Sequence, residues 1–323
     1  MTPVRAVVTG GAGFVGSRLC EALLDSGAEV LCLDNLLTGS LDNLAGVRGH
    51  ERLRFERCDV ADGLTSRSVR AALRPGTDLV LHLASPASPV DYLEHPLETL
   101  DAGSRGTRAA LELAREQGAR FVLASTSEVY GDPQVHPQHE SYWGNVSSVG
   151  PRSVYDESKR FGEALTAGYR RATGTDTGIV RIFNTYGPRM RGHDGRVVPT
   201  FVRQALAGEP LTVAGDGTQT RSLCYVDDLV AGLLAFADSG HPGPMNLGNP
   251  HELSVRQIAA DVLAATGSVS AVEHVERPVH DPGMRCPDIG LARSELGWEP
   301  RVSWRDGLAR TVEWFRQRSP AAA

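Results

Sequence analysis

Short apolar runs alternate with amphipathic segments through the first half of the chain. The apolar runs predict strands at 5–9, 29–34, 53–59, 79–83, 120–125 and 178–183. Apolar residues at helical spacing predict helices at 15–26, 104–117 and 153–172. Strands that alternate with helices in this way are typical of βαβ units. We therefore predict an α/β protein with a Rossmann-type, doubly wound parallel sheet and helices on both faces.

The pattern loosens after about residue 181, where Pro- and Gly-rich loops dominate. Further helices are predicted at 198–207, 249–265 and 302–318. Residues 221–236 predict a strand and a helix that return to the sheet. We therefore expect two interleaved domains. The larger spans 1–180 plus about 222–248, and a smaller, discontinuous C-terminal α/β domain spans about 181–221 plus 249–323.

Composition places the chain among ordinary globular proteins. Of its 323 residues, 41% are hydrophobic and 22% are charged, and 33 basic minus 39 acidic side chains leave a net charge of −6. This balance disfavours a nucleic-acid or anionic-membrane partner, and no apolar run approaches the roughly 20 residues that span a bilayer. The N-terminus lacks the layout of a signal peptide, and the five scattered cysteines form no CxxC motif. We therefore expect a reduced, cytoplasmic protein.

A glycine-rich turn is the first segment with a chemical signature. Gly10, Gly13 and Gly16 lie between the first predicted strand and the first predicted helix. Gly10 permits a tight turn, Gly13 lets a pyrophosphate approach the backbone, and Gly16 allows the helix to pack closely on the sheet. The helix N-terminus then faces the phosphates. Such a pattern alone is weak, but the flanking strand and helix make a dinucleotide site the expected reading.

Acidic residues at the next two strand ends indicate which dinucleotide binds. Asp34 ends the second strand 18 residues after Gly16, where a carboxylate can hold both ribose hydroxyls of NAD and repels a 2′-phosphate. Asp59 and Val60 suit the adenine pocket, although Asp59 can equally be an ordinary turn residue. NAD is the expected cofactor. The other residues expected around it are Phe14, Val15, Asn35, Thr38, Gly39, Leu83, Ala84, Ser85 and Ala124.

A hydroxyl, a phenol and an ammonium group form the second constellation. Tyr155 and Lys159 share one face of a predicted helix, and a neighbouring cation favours the phenolate form of the tyrosine. Thr126 follows a predicted strand, whose carboxyl end opens into the ligand cleft of such a sheet. We expect Thr126 to bond the hydroxyl that becomes a ketone and Tyr155 to take its proton. Lys159 is expected to hold the nicotinamide ribose and to lower the pKa of Tyr155.

Eight longer segments carry a resemblance to a known family. They are VTGGAGFVGS at 8–17, HLASPASP at 82–89, LASTSEVYGDP at 123–133, RIFNTYGPRM at 181–190, DGRVV at 194–198, GEPLTV at 208–213, NLGNP at 246–250 and LGWEP at 296–300. They resemble the extended short-chain dehydrogenase/reductases and, within that group, the UDP-glucuronate decarboxylases. The resemblance covers nearly the whole chain, and SPASP and TSEVYGDP are far more specific than the glycine turn.

The resemblance implies an NAD-dependent decarboxylase that converts UDP-glucuronate to UDP-xylose and regenerates its cofactor in every cycle. Oxidation at sugar carbon 4 gives a β-keto acid, carbon dioxide leaves, and the resulting enolate is protonated before the ketone is reduced. Glu128 matches the family's additional acidic residue, which either handles protons or positions the sugar beside the scissile carboxylate. Epimerases of the superfamily usually carry a small or uncharged residue there, so Glu128 favours the decarboxylase.

The resemblance also implies a nucleotide-sugar site in the smaller domain. Arg285 matches a late arginine of the family that reaches into the site, where a guanidinium can pair with a carboxylate or a phosphate. Asn184, Arg196 and Arg221 match positions that line the nucleotide-sugar cleft. Tyr92 either contacts the substrate or packs in the protein. The other residues expected to contact the substrate are Ser88, Thr126, Thr185 and Arg191.

Two positions depart from the family pattern. Gly103 stands where relatives usually have the Asn of an N-x-x-G-T motif, which helps to fix the geometry between sheet and helix. Ser158, beside Lys159, stands at a position where a small residue is common. Neither change removes a reacting group.

Two alternatives remain open at this stage. A nucleotide-sugar 4-epimerase that acts on a uronate uses the same Thr126, Tyr155 and Lys159 but retains the carboxylate. A non-catalytic NAD-binding protein has no need to keep Tyr155 and Lys159 intact, so we consider it less favoured.

Two further expectations concern metals and assembly. We expect no metal, because His136 and His139 lie in a Pro-rich loop without a third ligand nearby. In relatives, the helices corresponding to 104–117 and 153–172 pack into a two-fold four-helix interface. A homodimer is therefore expected.

Overall fold

In the computed structural model of this protein, residues 4–277 and 284–318 are described. Within these residues the strands are β1 (Arg5–Thr9), β2 (Glu29–Asp34), β3 (Leu53–Arg57), β4 (Leu79–His82), β5 (Arg120–Thr126), β6 (Thr177–Ile182), β7 (Thr185–Tyr186), β8 (Leu211–Ala214), β9 (Thr220–Ser222), β10 (Cys224–Tyr225), β11 (Met245–Leu247), β12 (Glu252–Ser254) and β13 (Val272–Val275). The α-helices of the same residues are α1 (Phe14–Asp25), α2 (Arg67–Ala72), α3 (Pro89–Glu94), α4 (Pro96–Asp101), α5 (Thr107–Gln117), α6 (Ser153–Thr173), α7 (Val197–Ala207), α8 (Val226–Ser239), α9 (Val255–Thr266), α10 (Gly290–Leu296) and α11 (Trp304–Arg318).

A parallel sheet organises the fold. Among the described residues, seven strands pair in the order β11-β6-β5-β4-β1-β2-β3, and every pair in this sheet is parallel. The strand order reverses between β1 and β4, and in such sheets a ligand crevice lies at the carboxyl ends of the strands at that point. The predicted fold class, a doubly wound parallel sheet in an α/β protein, is confirmed.

Both faces of the sheet are buried, and the side chains of β1 show how. Ala6 and Val8 pack with residues of α1 and α8, whereas Val7 packs with residues of α2 and α5. Successive side chains of a strand point to opposite faces, so a strand covered on both sides must be apolar throughout. This explains why the strands appear in the sequence as continuous apolar runs.

The region after β6 differs from the sequence prediction in two places. The strand predicted within 221–236 does not rejoin the main sheet, because β10 pairs with β7 in a separate two-stranded sheet. The strand that does rejoin it is β11, which follows α8 and pairs with β6. The helix predicted from residue 249 begins later, at Val255. Ser254 precedes it and caps α9 by accepting a hydrogen bond from the backbone N–H of Gln257 at 3.2 Å.

Residues 89–106 contain helical structure that the sequence analysis did not predict. Ser88 caps α3 by accepting a hydrogen bond from the backbone N–H of Asp91 at 3.2 Å, and a proline opens both α3 and α4. A π-helical turn, Ala102–Gly106, then joins α4 to α5. The helix predicted from residue 104 therefore has helical structure before it, since α4, the π-helical turn and α5 follow one another without a break.

The proposed division into domains stays a prediction. The main sheet takes six strands from residues 5–182 and the seventh from β11, so the chain leaves it and returns. No helix in the described part of the chain is long and apolar enough to cross a membrane.

The two departures from the family pattern touch each other in the fold. Gly103 lies in the π-helical turn against α6, and a Cβ atom there would lie 2.6 Å from the Ser158 Cβ and 2.9 Å from its carbonyl oxygen. The helix that carries Tyr155 and Lys159 can therefore approach this turn only because residue 103 has no side chain.

We expect Gly103→Ala to lower the free energy of unfolding by about 1–3 kcal/mol, because the added methyl group overpacks the contact with α6. Chemical denaturation measures this change. Gly168→Ala on α6 is the control, since its new Cβ has no neighbour within 4 Å. The control should stabilise the protein by up to about 1 kcal/mol through helix propensity. Equal effects of the two substitutions would contradict the close contact at Gly103.

Candidate active site

A cleft of about 360 Å³ opens at the carboxyl ends of the central strands and contains most of the predicted site residues. The predicted cofactor residues that line it are Gly10, Gly13, Phe14, Val15, Gly16, Asp34, Asn35, Thr38, Asp59, Val60, Leu83, Ala84, Ser85, Ala124, Tyr155 and Lys159. The predicted catalytic and substrate residues that line it are Ser88, Thr126, Glu128, Asn184, Thr185, Arg191 and Arg196. Four predicted residues lie outside its lining: Gly39, Tyr92, Arg221 and Arg285.

The glycine turn packs closely against its neighbours and places the N-terminus of a helix at the cleft. Gly10 has a φ of +70°, and a Cβ there would lie 2.8 Å from the backbone nitrogen of Ala84. At Gly16 a Cβ would overlap the carbonyl oxygen of Gly10, so α1 packs directly on the turn. Gly13 precedes α1 without a side-chain cap, which leaves the N-terminal N–H groups of the helix facing the cleft. This arrangement suits a pyrophosphate.

Asp34 is held rigidly at the end of β2. Its carboxylate accepts hydrogen bonds from the backbone N–H groups of Ala12 at 3.0 Å and Leu36 at 2.8 Å. Burial raises the pKa of Asp34, and these two hydrogen bonds offset part of that effect. Gly39 lies against this carboxylate, where a Cβ would come within 2.9 Å of it. Gly39 thus supports Asp34 from outside the cleft.

The next strand end supplies the other side of the predicted adenine pocket. Asn35 donates a hydrogen bond to the Asp59 carboxylate at 2.8 Å. Asp59 also accepts one from the backbone N–H of Ala61 at 2.9 Å, in a short 3₁₀ turn. Asp59 therefore orders a turn and also lines the cleft, and its place in an adenine pocket stays a prediction.

Thr126, Tyr155 and Lys159 meet in the cleft. Thr126 ends β5, and α6 brings Tyr155 and Lys159 over the strand. The Lys159 ammonium group donates a hydrogen bond to the carbonyl of Ala124 at 3.0 Å and lies 5.8 Å from the centre of the Tyr155 ring. Burial lowers the pKa of Lys159 to about 8.

The expectation that Lys159 lowers the pKa of Tyr155 is not met. Burial raises the pKa of Tyr155 above its ordinary value, and Glu128 adds to this shift. The groups that oppose it are the Thr126 hydroxyl and Arg196. Lys159 is instead hydrogen-bonded to β5 through the Ala124 carbonyl, and burial lowers its own pKa. A positive charge placed beside this phenol would favour its phenolate form.

Tyr92 packs behind the phenol of Tyr155. Its ring stacks on that of Tyr155 with the centroids 5.1 Å apart and the planes 9° apart, and only 2% of Tyr92 is exposed. Of the two alternatives for Tyr92, packing is the one found in the structure.

Glu128 is held between two arginines in the interior. One carboxylate oxygen accepts hydrogen bonds from Arg152 at 2.5 Å and from Arg285 at 3.0 Å. Burial alone would raise the pKa of Glu128, but Arg285 and Arg152 more than offset it and hold the pKa below its ordinary value. Arg285 is 2% exposed and also donates to the Ser127 carbonyl. It therefore supports Glu128 from behind the cleft.

Arg152 was missed by the sequence analysis. It lies directly before α6, in a turn in which Gly150 and Pro151 precede it. The only available signal was its position three residues before Tyr155. Its contact with Glu128 depends on how this turn folds back onto β5.

Two further arginines of the predicted substrate site, Arg191 and Arg196, are paired with carboxylates. Arg191 contacts Asp91, which also accepts a hydrogen bond from Ser88 at 2.7 Å. Arg196 donates to Asp194 at 2.9 Å. The sequence analysis did not identify either acidic partner. Arg221 donates to the Thr220 carbonyl at 2.8 Å and contributes to lowering the pKa of Glu128.

Comparison with known proteins identifies the group to which this chain belongs. Residues 6–248 match the NAD dependent epimerase/dehydratase family. The chain belongs to this family. The resemblance to the extended short-chain dehydrogenase/reductases and the expectation of NAD as cofactor are confirmed.

Members of the epimerase/dehydratase family with different reactions resemble this chain. The UDP-glucuronic acid decarboxylase 1 of Arabidopsis thaliana is 47% identical over 315 residues, which cover 98% of this chain and 70% of the relative. The UDP-glucose 4-epimerase of Thermotoga maritima, solved with UDP-glucose, has a TM-score of 0.89 at 29% identity and covers 97% of this chain and 99% of its own. A dTDP-glucose 4,6-dehydratase of Streptomyces venezuelae, solved with NAD, has a TM-score of 0.87 at 33% identity, with 98% of each chain covered.

The reason given for expecting no metal is wrong. The sequence places no third ligand near His136 and His139, but the fold brings Glu252 and Cys286 to His136. Residues distant in the chain meet there because the loop after β5 packs against both later segments.

Asp156 is a buried acid beside Tyr155. One of its carboxylate oxygens is buried without a hydrogen-bond partner among the described residues. Burial, and then the charge of Glu128, raise the pKa of Asp156 to about 7. The folded protein therefore keeps a proton on Asp156 that the unfolded chain releases, and this stabilisation is lost as the pH rises from about 4 to about 7.

We expect Asp156→Asn to gain stability relative to the native protein as the pH rises. The gain between pH 5 and pH 8 should be at most about 3 kcal/mol, because two pH units of differential proton binding are removed. Urea denaturation at both pH values measures it. Asp132→Asn, an exposed carboxylate near the same surface, controls for the loss of one negative charge. A gain that is the same at pH 5 and pH 8 would refute the raised pKa.

Proposed function

We propose that this protein decarboxylates UDP-glucuronate to UDP-xylose through a UDP-4-keto intermediate. The observation that carries the proposal is the charged carboxylate of Glu128, which two arginines hold in the interior beside Tyr155. The similarity to UDP-glucuronic acid decarboxylases over nearly the whole chain supports the same reaction.

The residues around the glycine turn fit NAD. Gly10 lets the turn pack against the backbone that follows β4, and Gly16 lets α1 pack on the turn. The N-terminus of α1 then lies at the cleft, where its N–H groups suit phosphates, and Asp34 is fixed where a ribose would lie. NAD bound there supplies the hydride acceptor for oxidation at sugar carbon 4 and returns the hydride to the product, and its oxidised ring adds a positive charge to the site.

Tyr155 takes the proton from the hydroxyl on carbon 4. Its buried phenol lies in the same cleft as Thr126, whose hydroxyl favours the phenolate form. Lys159 is anchored on the Ala124 carbonyl and keeps an ammonium group beneath the ring. Tyr155 thus keeps its phenol proton before ligands bind, and it can act as the base only in its phenolate form, once NAD and the sugar are bound.

Glu128 acts on the carboxylate end of the sugar. Once carbon 4 is a ketone, the electrons of the bond to the carboxylate can flow onto the ketone oxygen as carbon dioxide leaves. Arg285 and Arg152 hold the pKa of Glu128 low, so this group is a poor resident proton donor. Its ionised state favours the positioning role over the role of proton carrier.

The substrate contacts remain part of the proposal. We assign the sugar nucleotide to the part of the cleft lined by Ser88, Asn184, Thr185, Arg191 and Arg196. Arg191 is 47% exposed at its side chain, so it can exchange its contact with Asp91 for a phosphate. Arg221 and Arg285 act from outside the lining, through the charge of Glu128.

A homodimer is part of the same proposal. Exposed apolar side chains lie on α4 and α6, which pack against each other: Leu97 is 72% exposed, Leu100 37% and Phe161 51%. A second copy of the same face would bury them. A cytoplasmic location is also proposed, since all five cysteines are unpaired.

The direct test is incubation of the protein with UDP-glucuronate and NAD. Release of carbon dioxide and formation of UDP-xylose, followed by NMR spectroscopy, are expected. A product that keeps its carboxylate and is inverted at carbon 4 would make the protein a uronate epimerase. Tight NAD binding without turnover would make it a non-catalytic NAD-binding protein.

We expect Tyr155→Phe to lower kcat at least about 100-fold, because it removes the group that takes the proton. NAD binding, measured by calorimetry, should be retained. Tyr169→Phe on the same helix is the matched control and should leave kcat unchanged. Substantial turnover by Tyr155→Phe would remove this residue from its assigned role.

For Glu128→Gln we expect a large loss of kcat for carbon dioxide release with little change in the affinity for UDP. The substitution also leaves Arg152 and Arg285 without their shared counter-charge, so the melting temperature should be measured in parallel. Glu128→Asp, which keeps the charge, should recover part of the stability. If kcat and UDP affinity fell equally, Glu128 would be a binding residue.

A further inference from the structure

Three metal-binding side chains from distant segments meet on one side of the molecule. They are His136 in the loop after β5, Glu252 at the start of β12, and Cys286 in the segment before α10. One potential ligand atom from each lies within 4.8 Å of the other two. The imidazole Nε2 of His136 lies 2.9 Å from a carboxylate oxygen of Glu252.

The spacing is close to that of a tetrahedral zinc site. Zinc bonds of about 2.0 Å to nitrogen or oxygen and about 2.3 Å to sulfur place neighbouring ligand atoms roughly 3.3–3.6 Å apart. Two ligand atoms at the maximum separation of 4.8 Å would need to approach each other by roughly 1.2–1.5 Å. His136 is exposed, so its ring can adjust and an ion can enter from solvent.

The ligand atoms are supported by neighbours that leave them available. The Thr220 hydroxyl donates a hydrogen bond at 2.6 Å to the Glu252 oxygen that does not contact His136. Gln138 fixes the backbone of Cys286 on both sides, accepting from its N–H and donating to its carbonyl, each at 2.9 Å. Such supporting hydrogen bonds orient the ligands of known metal sites.

The surroundings of the thiol also suit a ligand. Cys286 is 3% exposed and its sulfur lies 3.4 Å from the Pro250 carbonyl. Ser222 is 1% exposed, and its hydroxyl has no hydrogen-bond partner among the described residues. This hydroxyl lies beside the Cys286 thiol, so the polar groups nearest the sulfur are a hydroxyl and a carbonyl.

We propose that His136, Glu252 and Cys286 form a zinc site with three protein ligands and one position open to water. Imidazole, carboxylate and thiolate together select zinc over magnesium or calcium, which prefer oxygen ligands. The metal is structural in its effect on the enzyme, because Cys286 directly follows Arg285, whose guanidinium contacts Glu128 at 3.0 Å. An ion bound to Cys286 ties the segment that carries Arg285 to the loop after β5.

Without metal, the same three groups form only a hydrogen-bonded pair, His136 with Glu252, beside an inert thiol. The protein with zinc and the protein without it therefore differ in metal binding and not in the reaction that they catalyse. The metal site does not depend on the proposed function, and its test needs no substrate.

The experiment uses the full chain, stripped with a chelator under reducing conditions and titrated with Co²⁺. One equivalent should bind, with the visible bands of tetrahedral cobalt and a thiolate-to-cobalt charge-transfer band, and Zn²⁺ should displace it. We expect His136→Ala to weaken Co²⁺ binding at least about 100-fold, and Thr220→Val to weaken it about 10–100-fold. Cys286→Ser should abolish the charge-transfer band. His139→Ala and Cys58→Ser are the controls and should bind as the native protein does.

Two further measurements make the outcome decisive. Zn²⁺ should raise the melting temperature of the native protein and of the controls but not of His136→Ala. It should also slow hydrogen exchange at residues 285–288. If Cys286→Ser fails to fold, the exposed His136 still tests the site. Absence of one-to-one binding, or equal binding by His136→Ala and the native protein, would overturn the proposal.

Discussion

The packing of α6 onto β5 and β6 is the constraint on which the candidate active site depends. Glu163 on α6 accepts a hydrogen bond from Ser125 at 2.6 Å and pairs with Arg181 through two contacts of 2.8 and 2.9 Å. Both charges are largely buried, so loss of either partner would leave the other uncompensated, at a cost of about 3–5 kcal/mol. On its other side, α6 touches the π-helical turn at Gly103. The helix is thus held from two directions, and this packing places Tyr155 and Lys159 in the cleft with Thr126.

The charges in the cleft are arranged around one carboxylate. Glu128 raises the pKa of both Tyr155 and Asp156, because a negative charge in the interior disfavours a second one nearby. Arg285 and Arg152 keep Glu128 itself ionised. A protein that needed only hydride transfer would gain from a site without this carboxylate, since it makes the phenolate harder to form. Glu128 raises the pKa of Tyr155 and so makes proton removal from the sugar harder. This cost supports the proposal that the charge of Glu128 acts on the substrate.

The sequence predicted the parts of this protein that follow from local pattern. The strands up to residue 183, helices α1, α6 and α7, and the glycine turn could be predicted because buried strands, amphipathic helices and glycine turns leave periodic or spacing signals. The substrate residues Asn184, Arg191 and Arg196 came only from the family resemblance. Helices α3 and α4 were missed, although Ser88 followed by a proline is a helix-start signal. Arg152 and the pairing of Gly103 with Ser158 could not be predicted in this way, since both depend on how a turn folds back onto a strand.

The proposed metal ligands could not be predicted from local pattern either, because they come from segments that are distant in the chain. These segments meet at a junction where several long-range contacts lie. Gln138 and Cys286 are 148 residues apart in sequence, yet they share two hydrogen bonds where the loop after β5 meets the segment before α10, and Gln138 forms a backbone bridge with Pro287. Through Asn246, which donates to the carbonyls of Gln138 and Asp288, this junction is tied to β11 and so to the main sheet. Arg285 lies at one end of the junction and contacts Glu128. Any force that orders the junction, whether hydrogen bonds alone or an ion as well, therefore also fixes the charge that stabilises Glu128.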